Sequence, residues 1–114
     1  MPPRSPADLL ADIVDHIDLA TQFTVGATIE DYVGDDLRRL AVERALEVVG
    51  EATRQLTYAD ASVASRLIDA SGLIAFRNVI AHRYFDLDHP RILAIIGQRL
   101  PGVRRQAVDA RRFA

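Results

Sequence analysis

Arg77, Asn78, His82 and Tyr84 fall within the run Arg77-Asn78-Val79-Ile80-Ala81-His82-Arg83-Tyr84. Together they offer a phosphate-binding cation, an amide, a proton exchanger and a phenol. Histidine is the side chain whose ordinary titration lies nearest neutrality, so it can trade protons with a reacting group at cellular pH. An arginine fork matches phosphate oxygens and can hold the charge that develops on a phosphorane. The pair suits metal-free cleavage of RNA. In that chemistry the 2′-hydroxyl attacks the adjacent phosphate, and the upstream product leaves with a 2′,3′-cyclic phosphate. The need for a 2′-hydroxyl confines the reaction to RNA.

Few other residues could do chemistry. His16 sits among Asp12, Asp15 and Asp18 on the polar side of a helix and reads as a solvated surface residue; His89 precedes Pro90 at a helix start and reads as structural. The chain has no cysteine, which rules out disulfides and thiolate metal sites. No histidine spacing suited to a metal and no glycine-rich phosphate loop occurs, so neither a metal nor a cofactor is expected. No nucleophile elbow of the Gly-x-Ser-x-Gly type occurs either.

The motif must be positioned by helices. On a continuous helix Asn78 and His82 share a face at i, i+4, so the amide could orient the imidazole. Arg77 and Tyr84 share another face, but Arg77 and His82 are separated by about 140° around the axis. A common site then requires a bent helix end, long side-chain reach or a second protomer. The competing reading is an amphipathic helix end whose Arg and His satisfy terminal carbonyls.

The apolar spacing predicts the elements. A first helix spans Pro6 to Gln22, with Ser5 as cap, a Ser-x-x-Asp box to Asp8, and Leu10, Ile13, Ile17 and Ala20 as its buried face. A turn at Phe23 to Ala27 leads to a helical turn at Thr28 to Tyr32. The strongest helix is Asp36 to Leu56, capped by Asp36. Its stripe is Leu37, Ala41, Ala45, Val48 and Ala52, widened by Leu40, Val42, Leu46 and Val49. Gly50 inside it costs about 1 kcal/mol against Ala, which a close helix crossing would explain. Glu43, Glu47 and Glu51 line one edge, solvated or partly paired.

Ala59 to Tyr84 follows, capped at Asp60 or Ser62 and interrupted at Ser71-Gly72, with Val63, Leu67, Ile68, Ile74, Val79 and Ile80 as core. Asp88 and Pro90 start another helix, whose core face is Ile92, Leu93, Ile95 and Ile96. It ends near Leu100, and a basic helix runs from Pro101. No segment alternates like a strand. The expected fold is all-α, an antiparallel bundle of four to five helices.

The 114 residues, 49% of them hydrophobic, suit a single domain over 1–114. The net charge of −2 hides an asymmetry: residues 1–57 carry eleven acids and five arginines, residues 58–114 five acids and nine arginines. RNA would therefore be met at a local patch. Arg99, Arg104, Arg105, Arg111 and Arg112 could guide RNA or a protein partner, or form an exposed basic helix. With no apolar run of membrane-spanning length and no signal-peptide core, a soluble cytoplasmic protein is expected.

The segment Arg77 to Phe85 resembles the signature of HEPN-domain proteins of the HepT toxin type: Arg, a polar residue, three more, His, any residue, Tyr. Ala41 to Ala52 is similar to the central helix of that group, and the order of elements also agrees. One departure is the approach to the motif, Ala70-Ser71-Gly72-Leu73-Ile74-Ala75-Phe76, where many relatives carry Pro and Trp; this chain has no Trp. The resemblance implies a HEPN-like bundle that acts as a homodimer with the two motifs facing a shared cleft. It implies an endoribonuclease toxin of a toxin–antitoxin pair, with Arg77 and His82 catalytic and Asn78 supporting. It also implies an MntA-type nucleotidyltransferase antitoxin that transfers AMP to Tyr84. AMP there would set bulk and negative charge beside the cation that receives RNA. The alternative function is a catalytically weak helical binding module that partners a nucleotidyltransferase; a purely structural helical dimer leaves the motif without a role.

Overall fold

A computed structural model describes residues 3–114, which are mostly helical, with no strand among them. The order is α1 (Pro6–Thr24), α2 (Ile29–Val33), α3 (Asp36–Ala59), α4 (Ala61–Ala64), α5 (Ala70–His82), α6 (His89–Gln98) and α7 (Leu100–Ala110), closed by a 3₁₀ turn at Arg111–Phe113. Five of these helices are long and two are single-turn connectors. The expected all-α bundle is what forms.

Helix α3 is the hub. It packs against α1 on one side and α5 on another, while α7 closes over α1. The α1 face is the expected one, with Leu10, Ile13, Ile17 and Ala20 all buried. Ser5 caps the helix by accepting from the Asp8 amide at 3.1 Å. Thr28 and Asp31 make a reciprocal capping box on α2. Between them Gly26 takes a left-handed φ of 74°, which turns the chain back toward α3.

Two expectations for α3 fail at its start. The cap is Asp35, whose carboxylate accepts from the Arg38 amide at 3.0 Å, and Asp36 lies in the first turn. Leu37 and Leu40 are not core; they are 82% and 61% exposed. The buried stripe is Val42, Ala45, Leu46, Val49, Ala52, Thr53 and Leu56. Helical spacing alone could not separate these, because it does not say which face of α3 the other helices cover. Thr53 is buried without cost to its hydroxyl, which donates to the Val49 carbonyl at 2.7 Å.

The interruption before the motif lies at residues 65–69, not at Ser71-Gly72, which sit in the first turn of α5. Gly72 leaves room for the Asp69 carboxylate to fold over that turn. Asp69 also pairs with Arg99 at the end of α6. Ile68, expected in the core, is exposed because it falls in this break, where its amide donates to Gln106 Oε1 at 3.1 Å. Val79 is also exposed, whereas its neighbour Ile80 is buried.

Helix α6 starts at the Asp88 cap, as expected, and buries Ile92, Ile95 and Ile96. Pro101 stands in the first turn of α7, where its missing N–H is harmless. Arg104 grips Asp18 with two hydrogen bonds of 2.7 and 3.2 Å, tying α7 to α1. That contact lowers the titration of Asp18, chiefly through the hydrogen bond from Arg104. Arg99 and Arg104 are thus committed within the chain, while Arg105, Arg111 and Arg112 stay exposed. Among the described residues no helix is long and apolar enough to cross a membrane.

Candidate active site

A close crossing of α3 and α5 meets the motif. A Cβ built on Gly50 of α3 would lie 2.9 Å from the Leu73 carbonyl oxygen and from Arg77 Cγ of α5, and would overlap Arg77 Cβ outright. The glycine that looked expensive in a helix interior is what lets α5 lie against α3 at Arg77. Arg77 is consequently half-buried, with its stem held against α3.

Its guanidinium has two neighbours. Nη1 donates to Asn78 Oδ1 at 3.1 Å, and Nε stands 3.9 Å from Glu51 Oε2. Nε is buried and has no hydrogen-bond partner. Glu51 is in turn held by Arg54, which donates from Nε at 3.2 Å and Nη2 at 3.0 Å, and by Gln55 Nε2 at 3.2 Å. The hydrogen bond from Arg54 keeps the Glu51 carboxyl below the usual range against the opposing effect of burial, and Gln55 and the charge of Arg77 add to this. Glu51 therefore stays ionised beside Arg77.

Asn78 does not perform the task that i, i+4 spacing suggested. Its amide oxygen is turned to Arg77, and no hydrogen bond joins it to His82 among the described residues. It supports the cation rather than the imidazole. His82 is the last residue of α5 and is exposed. The helix is regular from Arg77 to His82, so the angular separation expected from their spacing stands and no bend relieves it. Neither side chain hydrogen-bonds a helix-terminal carbonyl among the described residues, so helix capping does not account for the pair.

Tyr84 lies beyond the helix. Arg83 ends α5, its amide donating to the Val79 carbonyl at 2.8 Å, and its side chain pairs with Asp86 at 3.0 Å to close the turn. The shared helical face expected for Arg77 and Tyr84 is therefore not formed. Tyr84 is 71% exposed and meets Phe85 edge-on, with ring centroids 5.8 Å apart.

Two grooves connect these residues through α3. Arg77 opens on one that also contains Arg44, Glu47 and Glu51. Tyr84 and Phe85 open on another, about 760 Å³ in volume, that contains Arg39, Leu40, Glu43, Arg44, Glu47 and His89. Arg44 and Glu47, 3.7 Å apart, form the ridge between them. The structure thus brings Arg77 and Tyr84 to adjacent grooves and leaves His82 outside both.

The glutamate edge is partly paired, and within the chain. Glu43 is half-buried, and burial raises its titration despite the nearby charges of His89 and Arg39. Tyr32, fully buried with an unpartnered hydroxyl, is pushed up to about 12, chiefly by burial. His89 packs edge-on against Tyr32 at 5.7 Å, in keeping with a structural role. His16 is also half-buried, with Nδ1 at 2.8 Å from the Asp12 carbonyl. Among the described residues no group of three or more metal-ligating side chains converges.

What spacing could not show was Glu51, Arg54 and Gln55 as partners of the motif. Glu51 and Arg54 do carry an i, i+3 signal, but the face of α3 that meets Arg77 depends on packing. A consequence follows for Glu51→Gln. If Arg77 receives phosphate, this change keeps the shape and removes a carboxylate that would compete for it. RNA should bind several-fold more tightly, an effect that shrinks with added salt as Coulomb attraction is screened. Michaelis constants at low and high salt would test this; an unchanged or weakened affinity at low salt would contradict it.

Comparisons with known proteins bear on what this arrangement is for. The sequence profile described as "HepT-like: Ribonuclease HepT-like" matches residues 13–109. The chain belongs to the HepT-like ribonuclease family. Ribonuclease is therefore its activity class, and the earlier resemblance holds at the level of family and fold. A Thermococcus cleftensis protein named "Probable ribonuclease HepT" is 30% identical over 89% of this chain and 91% of its own length. A Methanocaldococcus jannaschii protein named "Putative RNase MJ1380" is 26% identical over 93% of this chain and 96% of its own. No solved structure gives a significant match.

Proposed function

We propose that this HepT-like ribonuclease is the toxin of a toxin–antitoxin pair and cleaves RNA without a metal ion, as a cytoplasmic homodimer built from one domain per chain. The 2′-oxygen attacks phosphorus, its proton passing to a base, and the bond to the 5′-oxygen breaks as that oxygen gains a proton. His82 exchanges these protons. Arg77, steadied by Asn78, holds the phosphorane charge. The products carry a 2′,3′-cyclic phosphate and a 5′-hydroxyl.

The observation that carries this reading is the presentation of Arg77. Its stem is held by the Gly50 crossing, while Asn78 and Glu51 are its polar contacts among the described residues and it opens on a groove. A phosphate can replace Glu51 there. Exposure of His82 on the same straight helix supports the dimer, since an Arg77 of one copy could meet a His82 of the other in a shared cleft. Exposed Leu37, Leu40, Tyr84 and Phe85 supply apolar surface for association.

Tyr84 is the control point in this reading. A nucleotidyltransferase antitoxin of the MntA type transfers AMP from ATP to its phenol oxygen and releases pyrophosphate. The tyrosine is exposed at a groove that shares Arg44 with the Arg77 groove, so a phosphate added there would compete for the same cations.

Purified protein incubated with RNA in EDTA should produce fragments ending in a cyclic phosphate. Cleavage only on adding a divalent ion would overturn the mechanism. After co-expression with a neighbouring nucleotidyltransferase, the intact mass should rise by AMP increments that disappear in Tyr84→Phe. An unmodified wild-type mass would refute the control model.

A further inference from the structure

Tyr58 is the most exposed of the aromatic side chains, 80% accessible in the last turn of α3. Its ring supports no core contact, yet it is held. The Arg54 guanidinium, one turn earlier, stands 5.7 Å from the ring centroid. Arg54 is itself fixed by its two hydrogen bonds to Glu51, the carboxylate beside Arg77. One face of α3 therefore carries an ordered chain of contacts from the motif arginine to an exposed aromatic ring.

The surface follows the same line. The groove at Arg77 includes Arg4, Leu9 and Gln55, and so does the neighbouring groove at Tyr58. They form one trough between the start of α1 and the second half of α3. Residues 51 and 58 are about 10 Å apart along the helix axis. Arginines 4, 44 and 77 line the trough together with Asp12, Glu47 and Glu51, each arginine facing a carboxylate, and Arg54 stands beside it on Glu51. A path of this kind, with exposed arginine–carboxylate pairs that a phosphate can open and an exposed ring at its end, suits an unpaired nucleic-acid strand. Phosphates follow the cations, and bases stack on aromatic faces irrespective of sequence.

We propose that Tyr58, oriented by Arg54, is a stacking subsite for one unpaired base of the RNA substrate, flanking the phosphate held by Arg77. This rests on the reading of Arg77 as the phosphate-binding residue. The subsite explains why an arginine with a good carboxylate partner is also laid across a solvent-exposed ring. It also predicts a preference for single-stranded over duplex RNA, since a paired base cannot stack on the ring.

The test uses the full-length chain. Tyr58→Ala should raise the KM for an unstructured oligoribonucleotide about ten-fold, with the larger share of the loss in KM rather than kcat. Tyr58→Phe, which keeps the face and loses only the hydroxyl, should restore wild-type behaviour. Phe113→Ala, an exposed ring covered by Arg66 at 3.4 Å, serves as the control and should change nothing. In parallel, His82→Ala protein is titrated with a fluorescent oligoribonucleotide, with and without Tyr58→Ala. Equal affinity of the two proteins would overturn the subsite, as would a Tyr58→Phe variant as weak as Tyr58→Ala. Ring-dependent binding by a wild-type protein that cuts nothing would remove the cleavage chemistry and leave the subsite standing. Cleavage lost in Arg77→Ala but indifferent to Tyr58 would do the reverse.

Discussion

Arg77→Ala should lower the rate of metal-free RNA cleavage by about 100- to 1,000-fold, the usual effect of removing a positioned donor from developing charge. His82→Ala should cost about as much or more, as expected for loss of the group that exchanges protons. Arg77→Lys should recover little. A lysine cannot keep Asn78 and phosphate on one planar fork, and its compact charge would sit closer to Glu51. Both alanine variants should stay folded, because His82 is exposed and Arg77 is half-buried and outside the hydrophobic core.

The sharper version mixes the two dead proteins. If each site takes Arg77 from one copy and His82 from the other, a mixed dimer regains one intact site of two. A statistical mixture should then recover about one quarter of wild-type activity, as two-fold symmetry requires. If each chain held a complete site, the mixture would stay inactive. Silence of a mixture that demonstrably exchanges subunits would therefore refute the shared site, while persistence of cleavage in both single variants would refute the roles themselves.

Gly50→Ala carries the second large effect, and there two principles oppose each other. Helix propensity alone favours alanine by about 1 kcal/mol. The new methyl, however, would press on the Leu73 carbonyl oxygen and on the stem of Arg77, neither of which is the free end of a flexible side chain. Overpacking of this kind costs about 1–3 kcal/mol. The clash should win, and the melting temperature should fall by roughly 5–10 °C for a chain of this size. Gly50→Val should be worse. Any rise in melting temperature for Gly50→Ala would mean that α3 and α5 cross less closely than described. Because the displaced stem belongs to Arg77, cleavage should fall further than the folded fraction, even at temperatures where the variant is fully folded.

These results bear on what was readable in advance. The α1 face, the Thr28 turn, the start of α6 and the break at Leu100 follow from caps, prolines and apolar periodicity, which are local properties. The candidate site residues were proposed from the sequence too, though their types and spacing alone fit a helix end as well; the resemblance to the HepT type singled out the run. The 140° between Arg77 and His82 was also visible, because α5 turned out to be regular. Gly50 announced itself as a residue needing a reason.

The remainder depended on which surfaces meet. Leu37 and Leu40 have the right period for a core, but the face of α3 they occupy is left uncovered, so they meet solvent. Asn78 was expected to reach His82, one turn on. The closeness of α5 to α3 turns Arg77 toward Glu51, and the amide follows the cation rather than the imidazole. The C-cap at Arg83 ends the helix before Tyr84, which places the phenol at a second groove instead of beside Arg77 on one face. Periodicity states what each helix can bury. Only the crossing at Gly50 settles which side of α3 the Arg77–Tyr84 run confronts, and with it the carboxylate, the arginines and the exposed ring that share its groove.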